Sequence, residues 1–516
     1  MVHSIILLQF FVISNSDQQQ LSTTGNGVAS FWTSCYSIND RNLPPFLSDE
    51  TCEQILVAGK SLCLLRLLVR ASPSIPKLVQ LRSELSNVPL SHLYEVADHW
   101  KFTKLINKIY ETVGKFVLDV IRKELKIVQH LQMIKDFVLL ADGEFSSTFM
   151  ALTFEELNRA PAVDEMTTPA INDRLEQTLS ELKHENQDRL TDEFITNIDV
   201  EPLENLGSTS PWDALILKYN FDGPLRLVVG EQAEETYAVL FQTFWRLKRL
   251  VFSTTRCSML MLKTGRQITR LIDGSRRIVH TFHLALSELS HFFNQFKFYY
   301  TNEVLESSWR ALHTDVSAAA SVDDLQSAHR KYVQQILSGT FADGNDIIRA
   351  QLGAVFSNAL AVCQAADDFL SRSISETAAR LAFDKRQNDV TGFGNANEIR
   401  IESARREKFD QKMLVDFDPA LSLMLEQFRK SVESVLLSLA NSAVESHRMF
   451  SIRTDFNAFY RNRDKRIENV TVYSRVSQYV GASQGSQSSV GNSPRYRSMR
   501  SQATVTSGVS QSKMEK

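Results

Sequence analysis

Apolar residues recur at helical spacing along most of the chain, and one stretch departs from that rule. Between Trp212 and Trp309, Leu215, Leu217, Tyr219 and Phe221 fall on every second residue, the period of a half-buried strand. Asp222-Gly223-Pro224 turns the chain, and Leu225, Leu227 and Val229 resume the alternation. A short strand pair is therefore predicted near 214–229. After Gly230 the period lengthens, with Tyr237, Leu240, Phe241, Phe244, Leu247 and Val251 on one helical face. A second helical run ends in His291-Phe-Phe-Asn-Gln-Phe-Lys-Phe-Tyr-Tyr300 and Val304-Leu-Glu-Ser-Ser-Trp309. Rings at this density require a large core or a partner to cover them.

The flanks are helical too. Residues 31–206 read as a helical bundle, with apolar stripes at Ile55 to Val69 and Phe102 to Ile121. A helix from Lys126 to Leu140 stops at Asp142-Gly143 and restarts at Glu144. Glu185 to Ser210 is polar and closes in Gly207-Ser-Thr-Ser-Pro211, which places a domain boundary at 206/207. Downstream, one helix begins at a cap on Ser321 or Asp323, and another runs from Ile347 to Leu370. Asp384 to Asp410 loses periodicity and is charged, so 384–410 is expected to be an exposed loop. A long helix at Leu421 to Ala443 and the segment Met449 to Tyr460 close the fold. The Ser/Gln/Gly-rich 471–516 reads as a disordered tail. The fold class is all-α, helical bundles with a short strand pair.

Composition narrows the chemistry. The chain has 516 residues, 43% of them hydrophobic, and a net charge of −3, as in an ordinary soluble globular protein. No apolar run reaches the roughly 18–20 residues of a membrane span, so neither membrane insertion nor a nucleic-acid partner is expected. Five scattered cysteines without a C-x-x-C pair read as reduced, mostly buried thiols of a cytosolic protein. Ile5 to Ile13 resembles the apolar part of a secretory signal, and Asn469-Val-Thr471 is a glycan acceptor triplet, but no Lys or Arg precedes the apolar run. Residues 1–30 are expected to be unstructured or a non-native start.

Catalytic strings fail on context. Ala58-Gly59-Lys60-Ser61 ends like a phosphate loop, yet Gln54 stands where the first glycine belongs and the period around it is helical. Gly481-Ala-Ser483-Gln-Gly485 matches a hydrolase elbow but lies in the polar tail. His280, His283 and His291 share a helical face without completing a metal site. Glu201 and Glu204 read as linker carboxylates. No enzyme activity, metal or cofactor is expected.

From Pro211 the residues become distinctive. Leu217-Lys-Tyr-Asn-Phe-Asp-Gly-Pro-Leu-Arg-Leu-Val-Val229 and Leu240-Phe-Gln-Thr-Phe-Trp-Arg-Leu-Lys-Arg-Leu250 resemble the start of the C-terminal domain of the gamma-tubulin complex component family (spindle pole body component, or GRIP-domain, proteins). Gln295-Phe-Lys-Phe-Tyr-Tyr300 with Glu303-Val-Leu-Glu-Ser-Ser-Trp309 resembles that family's most recognisable helix. Phe450-Ser-Ile-Arg-Thr-Asp-Phe-Asn-Ala-Phe-Tyr460 is similar to its closing motif. Ile55 to Ser61 and Ile134 to Phe145 resemble its N-terminal domain. Ala-Gly-Lys-Ser, Phe-Asp-Gly-Pro and Val-Leu-Glu-Ser-Ser-Trp point to the component-three branch. The resemblance covers about 31–470, so the N-terminal domain (31–206) is expected to be partial and truncated.

The resemblance implies an elongated rod whose C-terminal domain, 207–470, holds gamma-tubulin while the N-terminal bundle packs sideways on other complex components. The array would template microtubule nucleation at the centrosome or spindle pole, in the cytoplasm and cytoskeleton, serving spindle assembly in mitosis. Arg246, Lys248 and Arg249, Asn294 and Lys297, and Arg453, Asp455 and Asn457 alternate with apolar positions, a pattern that suits an interface. For each of them the alternative is a solvated helix face. Composition and periodicity alone also permit a different helical-rod scaffold, such as a vesicle-tethering subunit. From Ile452 onward the chain carries eleven Lys/Arg against four Asp/Glu, suited to attraction by acidic surfaces or to a freely solvated tail.

Overall fold

The computed structural model describes residues 47–68, 99–159, 168–185, 192–202, 211–221, 225–343, 346–389, 396–442 and 444–467, with positions 12–14, 32, 36–39, 41, 43, 80, 83, 84 and 87. Strand β1 (Val12–Ser14) pairs antiparallel with β2 (Tyr36–Ile38), Val12 opposite Ile38. This corrects the expectation for residues 1–30. Val12 and Ile38 pack on Cys52, Ile55 and Ile106, so burial and a ladder order part of that segment.

Helices α1 (Asp49–Leu68) and α2 (His99–Asp119) pack together. A π turn, Val120–Glu124, ends α2, and a second one, Ile134–Val138, follows α3 (Ile127–Met133). Helix α4 (Gly143–Arg159) restarts as the sequence predicts. Asp142 Oδ1 accepts from the backbone N–H groups of Glu144 at 2.8 Å and Phe145 at 3.0 Å, an anionic cap at the positive end of the helix. Helix α5 (Thr168–Glu185) buries Ile171, Leu175, Leu179 and Leu182 along one face. Ala58 to Ser61 lies inside α1, where Lys60 Nζ donates to the Trp32 carbonyl at 2.8 Å.

The strand pair exists, but its second member is not 225–229. Strand β4 (Leu215–Tyr219) pairs antiparallel with β3 (Ile198–Pro202), Val200 opposite Leu217. Leu225–Val229 forms a turn of helix instead. Its Leu225, Leu227, Val228 and Val229 are all buried, so alternation there reflected burial on several sides. Strand β3 lies in the stretch that reads as a polar linker. Ile198 and Val200 are buried while Asp199 and Glu201 face out, and Glu201 pairs with Lys218 at 3.4 Å across the ladder.

The remaining helices are α6 (Glu231–Leu271), α7 (Ser275–Phe298), α8 (Ser307–Ala318), α9 (Val322–Gly339), α10 (Asp346–Asp389), α11 (Ala396–Ala440), α12 (Glu445–Thr454) and α13 (Phe459–Arg463). Ser321 caps α9 with Asp324 in a reciprocal capping box. The expected loop at 384–410 is a correction: α10 continues to Asp389, and α11 begins at Ala396. The apolar period fades because ion pairs join these helices. Arg380 bonds Glu376 at 2.7 Å and Asp410 at 2.6 Å, and Arg405 bonds Glu376 at 2.8 Å. Hydrogen bonds from Arg405 and Arg406 pull the Glu402 carboxyl down to about 2.

One continuous apolar core runs from Trp32 to Ile467. Its centre is the end of α7, where Phe292, Phe293 and Phe296 are fully buried. Phe296 meets Tyr300 at 4.8 Å, Phe450 at 5.0 Å and Phe356 at 5.9 Å between ring centroids. A π segment, Tyr299–Glu306, joins α7 to α8. There Tyr299 and Tyr300 donate their O–H groups to the Gly339 and Thr340 carbonyls at 3.1 and 3.0 Å, satisfying acceptors at the end of α9. A Cβ on Gly339 would come within 2.8 Å of Val304 Cγ1, so the close approach of the two segments requires glycine.

Phe296→Ala is expected to cost about 3–5 kcal/mol in chemical denaturation, the usual range for a large buried ring. Tyr300→Phe should cost about 1–2 kcal/mol, because the Thr340 carbonyl loses a buried donor. Burial also pushes the His329 imidazole down to about 4, with Tyr237 Oη 2.9 Å from its Nε2. The unfolded chain then takes up the proton first as pH falls. Stability should drop between about pH 6.5 and about 4. His329→Gln should flatten that acid slope, measured as denaturation midpoint against pH.

Candidate partner-binding surface

The structure divides the eight predicted contact residues. Three of them tie α6 to neighbouring segments, Arg246 from an exposed position. Arg246 Nε donates to Asp213 Oδ1 at 2.8 Å. The Arg249 guanidinium lies 4.4 Å from the Trp212 ring centre, and burial draws its pKa down to about 10. Lys248 Nζ reaches Ser146 Oγ at 2.9 Å, and burial, assisted by the charge of Lys297, lowers it to about 8. Lys248 and Arg249 are thus half-buried, Lys248 bonded to α4 and Arg249 stacked on Trp212.

Asp455 is corrected as well. It is 1% exposed and accepts from the backbone N–H groups of Tyr460 and Arg461, both at 2.9 Å, and from Arg461 Nε at 3.2 Å. Ala458 takes a left-handed φ of 58° in the same turn. Asp455 therefore fixes the loop between α12 and α13 and holds Phe456 and Asn457 outward.

Arg246, Asn294, Lys297, Arg453 and Asn457 lie at the surface. Asn294 and Lys297 are exposed on α7. The Arg453 guanidinium lies 5.3 Å from the centre of the Phe298 ring and is ion-paired with Glu303. His291 Nε2 sits 3.3 Å from the Thr454 carbonyl, and its ring centre is 5.5 Å from that of Phe456. The end of α7 and the closing segment thus form one face.

That face carries an apolar stripe. Val444, Met449 and Phe456 are exposed along α12 and its flanks, with Ile452 partly so, and Phe298 joins from α7. Phe456 is 69% and Phe298 49% exposed. Exposed rings on one face, one of them under a fixed arginine, suit protein contact. Phe298 is exposed although its neighbours Phe296 and Tyr299 are core, because helical phase turns its ring outward.

No group of three His, Cys, Asp or Glu able to hold a metal occurs among the described residues. Cys257 and Cys363 are buried, which raises their thiols to about 12 and about 11. No single helix among the described residues is long and apolar enough to cross a membrane. Asn469 to Thr471 and Gly481 to Gly485 lie outside the described residues.

Asp455→Ala should release the closing turn and lower stability by about 1–3 kcal/mol, the cost of orphaned buried donors. Amide exchange at Tyr460–Arg463 should rise, while Asn457→Ala, which removes an Oδ1 that accepts only from the exposed Phe459 N–H at 3.3 Å, leaves stability and those amides nearly unchanged. Equal behaviour of the two variants would contradict this assignment.

The model described as gamma tubulin complex component N-terminal matches residues 6–124, and the one described as gamma tubulin complex component C-terminal matches residues 127–460. The match begins at residue 6, earlier than Phe31. The two models meet beside Lys126, a left-handed residue after the first π turn, and not at 206/207. The polar stretch before Pro211 contains β3 and so lies within the C-terminal match. The chain is 27% identical to a gamma-tubulin complex component 3 homolog of Xenopus laevis, over 84% of this chain and 48% of the relative. The same figures hold for gamma-tubulin complex component 3 of Homo sapiens. Spindle pole body component alp6 of Schizosaccharomyces pombe is 24% identical, over 89% of this chain and 52% of the relative. The chain spans about half the length of these relatives. It belongs to the gamma-tubulin complex component family.

Proposed function

We propose that the chain is a scaffold subunit that binds gamma-tubulin and, within a gamma-tubulin complex, templates microtubule nucleation at spindle poles and other microtubule-organising centres. The observation that carries this reading is the exposed stripe of Phe298, Arg453 and Phe456, which lies inside the C-terminal family match. Such rings suit cover by a protein surface, and the Asp455–Arg461 turn already holds Phe456 outward. The N-terminal part, with α1 and α2, packs beside other complex components.

The work of such a subunit is positional. Nucleation is slow because several tubulins must lose translational and rotational freedom together. A scaffold that fixes gamma-tubulins side by side supplies that order before the incoming dimers arrive.

Full-length chain mixed with purified gamma-tubulin should bind at or below micromolar concentration. Phe298→Ser/Phe456→Ser should weaken binding at least about tenfold, as expected for aromatic anchors, with an unchanged circular dichroism spectrum. No binding at micromolar concentration, or full affinity in the double variant, would overturn the proposal.

A further inference from the structure

The sequence from Thr236 to Ser287 carries nine Lys/Arg and a single acidic residue, Asp273. It forms most of α6 and the first half of α7, which a tight connection at 272–274 joins into an antiparallel hairpin. Gly265 sets the register of the two helices. A Cβ there would lie 3.4 Å from Val279 Cγ1 and 3.8 Å from His283 Nε2.

The cations of the hairpin divide. Arg246, Arg256 and Arg277 pair with Asp213, Asp367 and Asp418 at 2.8, 3.0 and 3.4 Å. Lys248 and Arg249 are held by Ser146 and Trp212. Lys263, Arg266, Arg270 and Arg276 are exposed, and their side chains have no ion pair or hydrogen bond among the described residues. Like charges left unpaired on one face repel one another and raise the local potential, which an anionic partner relieves.

These four cations share that face. An α-helix turns about 100° per residue. Counted from Gly265, Met259, Leu262, Lys263, Arg266 and Arg270 lie between roughly 60° and 160° round α6. Counted from Val279, Arg276, His280 and Leu284 occupy roughly the same arc of α7. Rotation of the same sense on two antiparallel helices leads to the same side of the hairpin. The register at Gly265 then sets rows across it: Leu262 opposite Leu284, Arg266 opposite His280, and Arg270 opposite Arg276. Leu262 is 67% and Leu284 57% exposed, while Ile268, Ile278 and Phe282 on the other side are buried. The exposed side therefore has an apolar end and a cationic end.

That order discriminates between anionic partners. Single-stranded nucleic acid is held by cations interleaved with rings for base stacking, and no Phe, Tyr or Trp is exposed on this face. A bilayer surface suits apolar side chains with cations along their whole length, but here Met259, Leu262 and Leu284 lie together at one end. An acidic peptide segment with an apolar anchor matches both ends.

We propose that this face of the α6–α7 hairpin docks an acidic protein segment, with leucine-like side chains seated on Met259, Leu262 and Leu284 and carboxylates paired with Arg266, Arg270 and Arg276. Arg266 and Arg270 lie about 6 and 12 Å beyond Leu262 along the helix axis, or about two and four residues of an extended chain. The site is separate from the Phe298 and Phe456 stripe and does not rest on the proposed gamma-tubulin binding.

The probe is a fluorescein-labelled peptide, Leu-Leu-Ser-Glu-Glu-Glu-Glu-Glu, titrated with the full chain by fluorescence anisotropy. Micromolar binding is expected, weakening at least about fivefold between about 0.05 and about 0.3 M salt, because exposed charges are screened. Arg266→Glu/Arg270→Glu should weaken it at least about tenfold, and Leu262→Ser/Leu284→Ser at least about threefold, with unaltered circular dichroism. Arg330→Glu/Arg349→Glu, an equal charge change at exposed positions outside the hairpin, should leave it unchanged, as should Phe298→Ser/Phe456→Ser. No binding, equal loss in the two charge-reversed variants, or indifference to the leucine variant would each overturn the proposal. Tighter binding to phosphatidylserine vesicles or to poly(U) RNA than to the peptide would overturn it as well. Peptide binding without any gamma-tubulin binding would uphold this site and overturn the proposed function.

Discussion

The structure depends on a clamp between two helix ends. Where α7 passes into its π segment, Tyr299 and Tyr300 close over the last carbonyls of α9. A regular α-helix places successive side chains 100° apart, and a π turn shifts that phase, so both tyrosines can point at one target. Gly339 permits the approach because any Cβ there would strike Val304. Tyr299 then stacks on Phe450 at 4.5 Å, which ties the closing helix α12 to the same point. The long helices α6, α10 and α11 pack around this junction and do not define it alone.

Two consequences follow for the surface. The closing segment is held by buried groups, so its exposed residues have fixed positions. Asp455 supports the turn from within, and Arg429 and Tyr460 both bind Glu288, at 2.7 and 3.0 Å. Ordering a loop on binding costs free energy, and a preformed face avoids that cost. Arg453 is likewise already paired with Glu303 and placed over Phe298, so little side-chain freedom remains to be lost when a partner arrives.

Helix type and the ring-rich centre were legible in the sequence because both rest on apolar period. Phe292, Phe296 and Tyr300 recur at intervals of four and are all core. Period failed where polarity does the packing. The α10–α11 hairpin around Arg380, Glu376 and Asp410 is joined by ions, and its sequence therefore looks like a loop. Period failed again where strands are short: Ile198 and Val200 give only one alternation before Pro202 ends it. Among the proposed contact residues, type and spacing did not separate Asp455 from Asn457. One accepts three bonds inside a turn and the other points outward, a difference set by tertiary geometry. Of the motifs that carried the resemblance, Val304 to Trp309 is mostly framework, while Phe450 to Tyr460 mixes the buried Phe450, Asp455 and Tyr460 with the exposed Phe456 and Asn457.

The central proposal is that the end of α7 and the closing segment together form a surface for gamma-tubulin. Amide hydrogen exchange of the full chain, alone and with saturating gamma-tubulin, tests it directly. The account predicts new protection at residues 291–298 and 445–460, with little change along α10. Protection confined to other helices, with those two segments unaffected, would contradict it.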